Sequence, residues 1–476
     1  MKTLIHLLLL LFVSLISYSQ TTFEFFLNGA EDQVPGSMIV DANDNIYLSV
    51  NSDSTIKIIK LNNCGILIDS VSFNNFNGLS DLTELAIVSD SSFVGIGSYQ
   101  NEEGYYLWFV KFNLSLNIIK ESMIPYDYEV LGEASHILFN EFENIVVATA
   151  IYTGESDMFD VVLFELGPDG DVLKEKRFVD PWFNLPYDII EDTINNRYKL
   201  FSLRPLGRFN PTLSNLDYSF NILEDTVLYP VIDEQNTAVW INDSTYILSG
   251  KKVQVENQTE YGVGILKMNS NDSILLSHFL SSVDSVQWPA VHDNLSLVNE
   301  NNIFYATYLS EYIPNNFVEA PSWIVINNYD SQLNLNFQEI YGGDAFYIPH
   351  CVASTHDSGF VVASSRYDWK TQDMERDVYV LKVNKEGLIV RVEGEKTNYS
   401  NEVVVFPNPG KNAIHIETQY LQSVLKMFNL SGILELEQNL YSKSSVVKVN
   451  DLIPGAYVYQ IYKNKKMVKQ GLWIKN

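Results

Sequence analysis

The sequence predicts an all-β chain: a seven-bladed β-propeller over residues 20–395, then a small Ig-like β-sandwich over residues 403–476. Three observations predict it. A dense apolar strand returns seven times, starting at residues 56, 107, 161, 212, 263, 323 and 378, so that successive starts differ by 51 to 60 residues. The chain holds 28 Tyr and 26 Phe, with Asn, Ser and Asp recurring at short intervals, a mixture that suits strands joined by tight turns. Finally, residues 401–476 carry nine lysines and no arginine against five acidic residues, a net +4, which leaves −32 of the total of −28 on the remainder. The tail is therefore a module of its own.

Taken in order, the N-terminus comes first. Lys2, the apolar run Leu4 to Ile16 and the small residues of Ser17-Tyr18-Ser19 are the pattern of a secretory signal peptide cleaved after Ser19. The run is shorter than the ~20 residues that a membrane span needs, and no later segment is apolar enough to be a transmembrane segment. Phe23 to Gly29 then resembles the end of the sixth repeat, Phe337 to Gly343. An orphan copy of an outermost strand at the N-terminus is expected to pair beside repeat 7, against Val378–Lys382 or Gly387–Val392, and so to join the two ends of the repeat array.

Each repeat reads as four antiparallel strands. The recurring strand (Ile56 to Asn62, Leu107 to Asn113, Val161 to Gly167, Thr212 to Tyr218, Val263 to Asn269, Trp323 to Tyr329, Val378 to Asn384) is the third. A short polar turn and an alternating fourth strand follow it. Upstream lies a hairpin with a turn such as Asp41-Ala42-Asn43-Asp44-Asn45 or His356-Asp357-Ser358-Gly359, whose residues supply the hydrogen bonds and positive φ of tight turns. A lone four-stranded sheet cannot bury both its faces; repeats near fifty residues solve this by packing radially. Repeat 4 lacks the Lys-apolar-Asn ending of its third strand. Beyond a short polar linker, residues 396–402, about seven short strands follow, the count of an Ig-like sandwich.

Strings that would name a chemistry are absent: no zinc-protease HExxH, no GxSxG, no phosphate loop, no dinucleotide fingerprint, and so no cofactor or metal is expected. Asp41 to Asn45 superficially matches a calcium loop but has Ser52 where the loop needs an acid; a hairpin turn is the simpler reading. Cys64 and Cys351 are the two cysteines. They fall on opposite faces of neighbouring blades and are expected to be unpaired. The acidic main domain argues against nucleic acid as a partner and permits cations or neutral glycans.

Topology points to the channel mouth. The first strands should line the centre and begin at Gly36, Thr83, Ser135 with His136, Asp188, Asn236, His292 with Asp293, and His350. The loops between second and third strands share that face and carry Tyr105, Tyr152, Phe159, Tyr261, Tyr312 and Trp369 among carboxylates. Of these, His136, Asp188, Asn236, Asp293, His350 and Trp369 are the candidate binding residues. Each also has a plain structural reading, the histidines as hydrogen-bonded strand residues and the aromatics as packing between blades. Asp188 and Asp293 are the acids available to a catalytic pair, but they lie two blades apart. The functions that fit are a binding module for a surface ligand such as a glycan or protein, a secreted enzyme acting on polysaccharide (a glycoside hydrolase or lyase), and a structural adhesin.

The last residues are the most specific part of the chain. Val403 to Phe406 and the turn Pro407-Asn408-Pro409-Gly410 open them. Phe428-Asn429-Leu430-Ser431-Gly432, Leu452-Ile453-Pro454-Gly455-Ala456-Tyr457 and a lysine-rich end follow. In this order they resemble the type A C-terminal sorting domain of the Bacteroidetes type IX secretion system, with Pro407, Asn408, Pro409, Gly432, Gly455 and Tyr457 as its motif residues. The repeats likewise resemble the propeller repeats common in proteins bearing that domain. The resemblance implies passage through the periplasm, recognition by the type IX machinery, and release or attachment at the outer cell surface.

Overall fold

The computed structural model of the chain describes residues 21–29, 31–74, 80–154, 159–179, 185–205, 209–252, 261–281, 285–311, 319–371, 375–389, 403–406, 411–418, 420, 422–429, 433–450, 452–463 and 466–475. The expected signal peptide, the linker 396–402, Pro407, Asn408, Pro409 and Gly432 lie outside these residues, as does Tyr312. Every regular element among the described residues is a β-strand, and no helix is long and apolar enough to cross a membrane. The chain divides into two compact units, Met1–Val390 and Arg391–Asn476.

The first unit contains seven antiparallel sheets, numbered here in chain order. Their third strands are Thr55–Leu61, Gly104–Asn113, Phe159–Leu166, Phe209–Asp217, Gly262–Asn269, Ser322–Tyr329 and Arg376–Val383, and each holds one of the seven expected apolar runs. Second and third strands are almost wholly buried, as in Ile145–Tyr152 and Phe159–Leu166, whereas fourth strands such as Leu67–Asn74 are mostly exposed. The fourth strands are the outer edges. Repeat 4, expected to be worn, forms a complete four-stranded sheet.

Burial explains why the sheets need one another. Seven hydrophobic clusters fill the unit, and each is built from two sheets. Between sheets 1 and 2, Tyr47, Ile56 and Ile58 meet Phe93, Trp108 and Phe112. Between sheets 6 and 7, Phe304 stacks on Phe360 with centroids 4.6 Å apart. The cluster containing Phe23, Val361, Val378 and Val380 with Met38, Ile46, Leu48 and Ile59 joins sheet 7 to sheet 1. Each fully buried side chain of this kind contributes about 1.5–3 kcal/mol.

A polar relay runs alongside these cores. At the end of a third strand, Asn or Asp accepts two backbone N–H groups from its own turn: Asn113 from Ser115 and Asn117 at 2.9 and 3.0 Å, Asp330 from Gln332 and Asn334 at 2.8 and 2.9 Å. This is the physical content of the recurring terminal Asn. A lysine then donates to a carbonyl in the corresponding turn of the next sheet. Lys60 reaches Leu114 at 2.7 Å, Lys111 reaches Pro168 at 3.0 Å, Lys174 reaches Tyr218 at 2.5 Å, and Lys267 reaches Ser331 at 2.7 Å. In sheet 4, where the usual lysine position holds Asn215, Lys199 crosses from the second strand to Ser270 at 2.9 Å. In sheet 6 the Tyr341 hydroxyl takes over and donates to Gly387. In sheet 7, Lys382 donates to the Thr21 hydroxyl at 2.9 Å, which donates to Asn63 in the turn of sheet 1 at 2.7 Å.

The N-terminal strand completes sheet 7. Phe23–Leu27 pairs antiparallel with Arg376–Val383, from Phe23 opposite Lys382 to Leu27 opposite Val378. Of the two partners expected from sequence, Val378–Lys382 is therefore the one used. The Asp32 carboxylate also accepts from Arg376 Nε at 2.9 Å.

Among the described residues the second unit has seven strands in two sheets, one of three strands and one of four. Ile414, Ile416 and Val447 from one sheet and Leu425, Met427, Ile461 and Trp473 from the other form its core. Tyr457 is buried and its hydroxyl donates to Ile453 at 2.7 Å. The Asn429 side chain accepts from Ile433 N at 3.0 Å. Near the C-terminus, buried Lys475 donates to Val449 and Asn450.

Cys64 lies exposed in the turn between third and fourth strands of sheet 1, and Cys351 lies buried in the first strand of sheet 7; both are free thiols. Thiol titration should therefore register Cys64 alone in the native protein and both after denaturation; protection of Cys64 would contradict its placement. Lys382 is fully buried against Asp357 at 2.8 Å. Replacing it with Met removes the buried ammonium from that carboxylate, leaving it the hydrogen bonds from Thr355 and Gly359, and should cost about 3 kcal/mol, read as a lower denaturant midpoint. The exposed pair Lys385–Glu386 should contribute nothing measurable. Deleting residues 20–29 should lower the midpoint of the whole unit in one transition, since it removes both the edge strand and the Thr21 bridge.

Candidate functional site

The residues expected to open the first strands do not open them. Those strands start earlier, at Gln33, Asp81, Glu129, Leu185, Glu234, Val286 and Phe346. The named residues fall instead at or beside a break in pairing that recurs in every sheet. Pairing with the second strand is interrupted between Pro35 and Met38, Leu82 and Glu84, Leu131 and His136, Pro186 and Asp188, Gln235 and Ala238, Pro289 and Leu295, and Pro349 and Cys351. A bulge inserts unpaired residues and re-aims the side chains around it. The sequence offset that placed these residues assumed uninterrupted pairing, so it found the right level and the wrong element boundary.

Each bulge leaves backbone groups that need partners, and neighbouring sheets supply several. Ser49 accepts from Ser37 N at 2.8 Å within sheet 1, and Ser249 accepts from Thr237 N at 3.1 Å within sheet 5. Asn51 of sheet 1 accepts from Leu82 N of sheet 2 at 3.0 Å. Asp188 of sheet 4 accepts from Ala238 N of sheet 5 and from Ile189 N, both at 2.7 Å. In sheet 6 the first strand splits into Val286–Pro289 and Leu295–Asn299. The intervening residues cross to sheet 7, where Val291 N and His292 N donate to Pro349 and His350 at 3.0 and 2.8 Å. Gly36 is glycine because a Cβ there would meet the Leu82 carbonyl at 2.4 Å.

At the end of the sheets where the first strands begin, a cavity of about 510 Å³ opens. His136, Tyr187, Asn236, Trp288, His292 and Tyr308 line it, together with the carboxylates Asp81, Glu129 and Glu234. A second cavity of about 240 Å³, which shares Asp81, Val291 and His292 with the first, adds Val34 and Pro35 of sheet 1 and His350 and Arg376 of sheet 7. Between them the two cavities touch all seven sheets.

One wall is strongly organised. Trp288 stacks on Tyr261 with centroids 5.2 Å apart, and Lys251 Nζ lies 4.0 Å from the Trp288 centroid and 3.0 Å from Glu234. The Tyr187 hydroxyl also donates to Glu234, and burial with this carboxylate pushes its pKa up.

The centre is built of groups held neutral. Burial lowers His136 to about 3 and His292 to about 4, and His350 well below the usual imidazole range. The His292 and His350 rings lie 6.0 Å apart, and Ser365 Oγ lies 2.8 Å from His350 Nε2. Burial pushes Asp293 up to about 6 and carries Asp188 and Glu84 well above the usual carboxylate range, with the Asp293 charge adding to both. Two sheets of separation therefore do not isolate Asp188 from Asp293, because the first strands converge.

Of the residues singled out from sequence, His136 and Asn236 line the larger cavity and His350 the smaller. Asp188 spends both oxygens on backbone N–H groups, a structural role, and Asp293 sits beside it in the electrostatic cluster. Trp369 lines neither cavity; it packs against the core between sheets 6 and 7. Tyr105, expected in a loop, belongs to a strand that begins at Gly104. Glu84, Glu129, Tyr187 and Trp288 were missed. Trp288 precedes the sheet-6 detour, which no periodicity announces. Among the described residues no group of three or more His, Cys, Asp or Glu is arranged to hold a metal ion.

No curated protein sequence matches the chain. Among solved structures it is similar to the polysaccharide lyase Uly1, with 9% identity and a TM-score of 0.44 over 77% of this chain and 100% of that one. It is also similar to Drosophila Semaphorin 2a, with 7% identity and a TM-score of 0.45 over 96% of this chain and 97% of that one. Residues 404–475 match the family described as the secretion system C-terminal sorting domain. That span coincides with the seven strands of the second unit and with the buried Tyr457 and Trp473 that hold its two sheets together. The C-terminal unit is a sorting domain of this family, and it marks the chain as cargo of the type IX secretion system.

Proposed function

We propose that the chain is a secreted binding protein: a closed seven-bladed β-propeller over residues 20–395 that recognises a glycan at the mouth of its central channel, delivered by an Ig-like sorting domain over residues 403–476. Residues 1–19 act as the signal peptide that starts the route, and 396–402 as the linker. The observation that carries the binding role is the larger cavity, to which five of the seven sheets contribute at the level where their first strands break. Its volume of about 510 Å³ falls within the ~300–1,000 Å³ typical of ligand sites. It combines aromatic and proline walls with a few inward polar groups. The contacts of Phe23–Leu27 with sheet 7, and the core shared by sheets 7 and 1, support closure of the propeller.

A catalytic reading, hydrolysis or elimination on a polysaccharide, draws on one observation. Asp293 is pushed to about 6, where a carboxyl group can donate a proton near neutral pH. Incubating the full chain with a panel of polysaccharides and glycans separates the two. Binding proteins give saturable binding with no new reducing or unsaturated ends; release of such ends would favour the enzyme.

Asn236→Ala should weaken glycan binding about tenfold, the effect of one lost buried hydrogen bond of ~1.4 kcal/mol, as measured by calorimetry. Unchanged affinity would move the site away from this cavity. Deleting residues 404–475 should leave the protein in the periplasm, as seen by fractionation and immunoblotting. Its continued appearance in the medium would show that export does not use the matched domain.

A further inference from the structure

We infer that the ligand of the larger cavity is an N-acetylated amino sugar, recognised through its secondary amide. The inference rests on the binding role proposed above and names the ligand class. Two polar atoms on residues lining this cavity are buried without a hydrogen-bond partner among the described residues: Asn236 Oδ1 and Trp288 Nε1. Asn236 is 7% exposed and stands where the first strand of sheet 5 is interrupted, between Gln235 and Ala238. Trp288 lies in Val286–Pro289, just before the detour of sheet 6, directly opposite Tyr308. The two atoms thus come from neighbouring sheets. They are also of opposite kinds, since an amide oxygen only accepts and an indole N–H only donates. Buried polar groups left open call for partners.

The pair selects against a charged group. An ammonium offers donors alone and cannot serve the indole; a carboxylate offers acceptors alone and cannot serve Asn236. The cations nearby are otherwise engaged or neutral. Lys251 pairs with Glu234 at 3.0 Å, and burial holds His136 and His292 neutral down to about 3 and 4. A secondary amide supplies both kinds of group at once, a carbonyl for Trp288 and an N–H for Asn236. A sugar hydroxyl can also give and accept, and the walls decide between the two. Pro186, Pro289 and Ala290 line the same cavity. An acetyl methyl would be covered by this apolar surface, which a hydroxyl would leave against water. A sugar fits better than a peptide because two further hydroxyl-bearing residues, Ser98 and Tyr308, share the lining and can meet ring hydroxyls.

Calorimetry on the full chain tests this with three β-1,4-linked disaccharides that differ only at the second carbon of each ring: N,N′-diacetylchitobiose, its free-amine counterpart and cellobiose. N-acetylalanine methylamide is the peptide control. The acetylated sugar should bind at least about tenfold more tightly than either of the other sugars, the effect of one matched buried hydrogen bond. Trp288→Phe keeps an aromatic ring and removes the N–H. It should weaken the acetylated sugar about tenfold and leave cellobiose unchanged. Cellobiose or the free-amine sugar binding the native protein as tightly as the acetylated sugar would overturn the amide assignment while leaving glycan binding intact, whether or not the variant folds. An equal loss for all three sugars in Trp288→Phe, or no loss, would overturn the role given to the indole N–H. The peptide control binding as tightly as the acetylated sugar would overturn the sugar assignment. Failure of every glycan, here and in the wider panel, would instead overturn the binding role itself.

Discussion

Each four-stranded sheet of the first unit has two apolar faces, and the architecture follows from the need to cover both. Among the described residues no sheet has a core of its own; the seven clusters lie between consecutive sheets. Non-directional burial would tolerate sliding of one sheet over the next. The lysine relay removes that freedom. A donor fixed to one turn carbonyl of the following sheet sets the height of each sheet relative to its neighbour; where it is an ammonium, as in sheets 1 to 5, such a hydrogen bond contributes about 1.5–3 kcal/mol. The relay survives changes of residue: Lys199 and Tyr341 make the same crossing from different positions. What is maintained is the contact between sheets, not the lysine at one place in a repeat.

The bulges answer a second constraint. First strands converge toward the centre and cannot all continue as regular ladders beside one another. Each breaks at one level, and the freed backbone groups bond to side chains such as Ser49, Asn51, Asp188 and Ser249. Polar residues at the centre are thus first of all the partners of broken strands. The larger cavity lies where that adjustment leaves a side chain over, as with Asn236. Counting from the second strand reaches the level of the break, which is why Asp188 could be found at the right place for the wrong reason.

Much of this was legible in the chain. The fifty-residue recurrence located all seven third strands, and the likeness of Phe23–Gly29 to Phe337–Gly343 placed the N-terminal strand beside sheet 7, with Val378–Lys382 and Gly387–Val392 both open as partners. Both signals are local: an apolar run with a turn residue at its end, visible without knowing any neighbour. The cavity was only half legible. His136, Asn236 and His350 could be reached by counting back from the second strands, because counting gives the level. Trp288 and Glu129 could not, since a bulge has no periodicity and the detour from Ala290 to Asn294 adds residues that break the count. Trp369 was misplaced because an aromatic in a polar segment reads alike whether it faces solvent or covers a core.

The pairing of Phe23–Leu27 with Arg376–Val383 joins residues far apart in the chain: Thr21 and Lys382, which touch beside it, are 361 positions apart. Sheet 7 cannot be finished until nearly the whole first unit is present, however early its first residues emerge. Contacts of such sequence separation are formed late, because the entropy of closing the intervening loop must be overcome first. A chain that crosses the inner membrane from its N-terminus would hold Phe23–Leu27 waiting, as an unpaired apolar strand, through most of its passage. On the proposed route, the periplasm is where this protein would be most exposed to proteases and to pairing with the wrong edge, and completion of the last sheet is the step that would end the exposure.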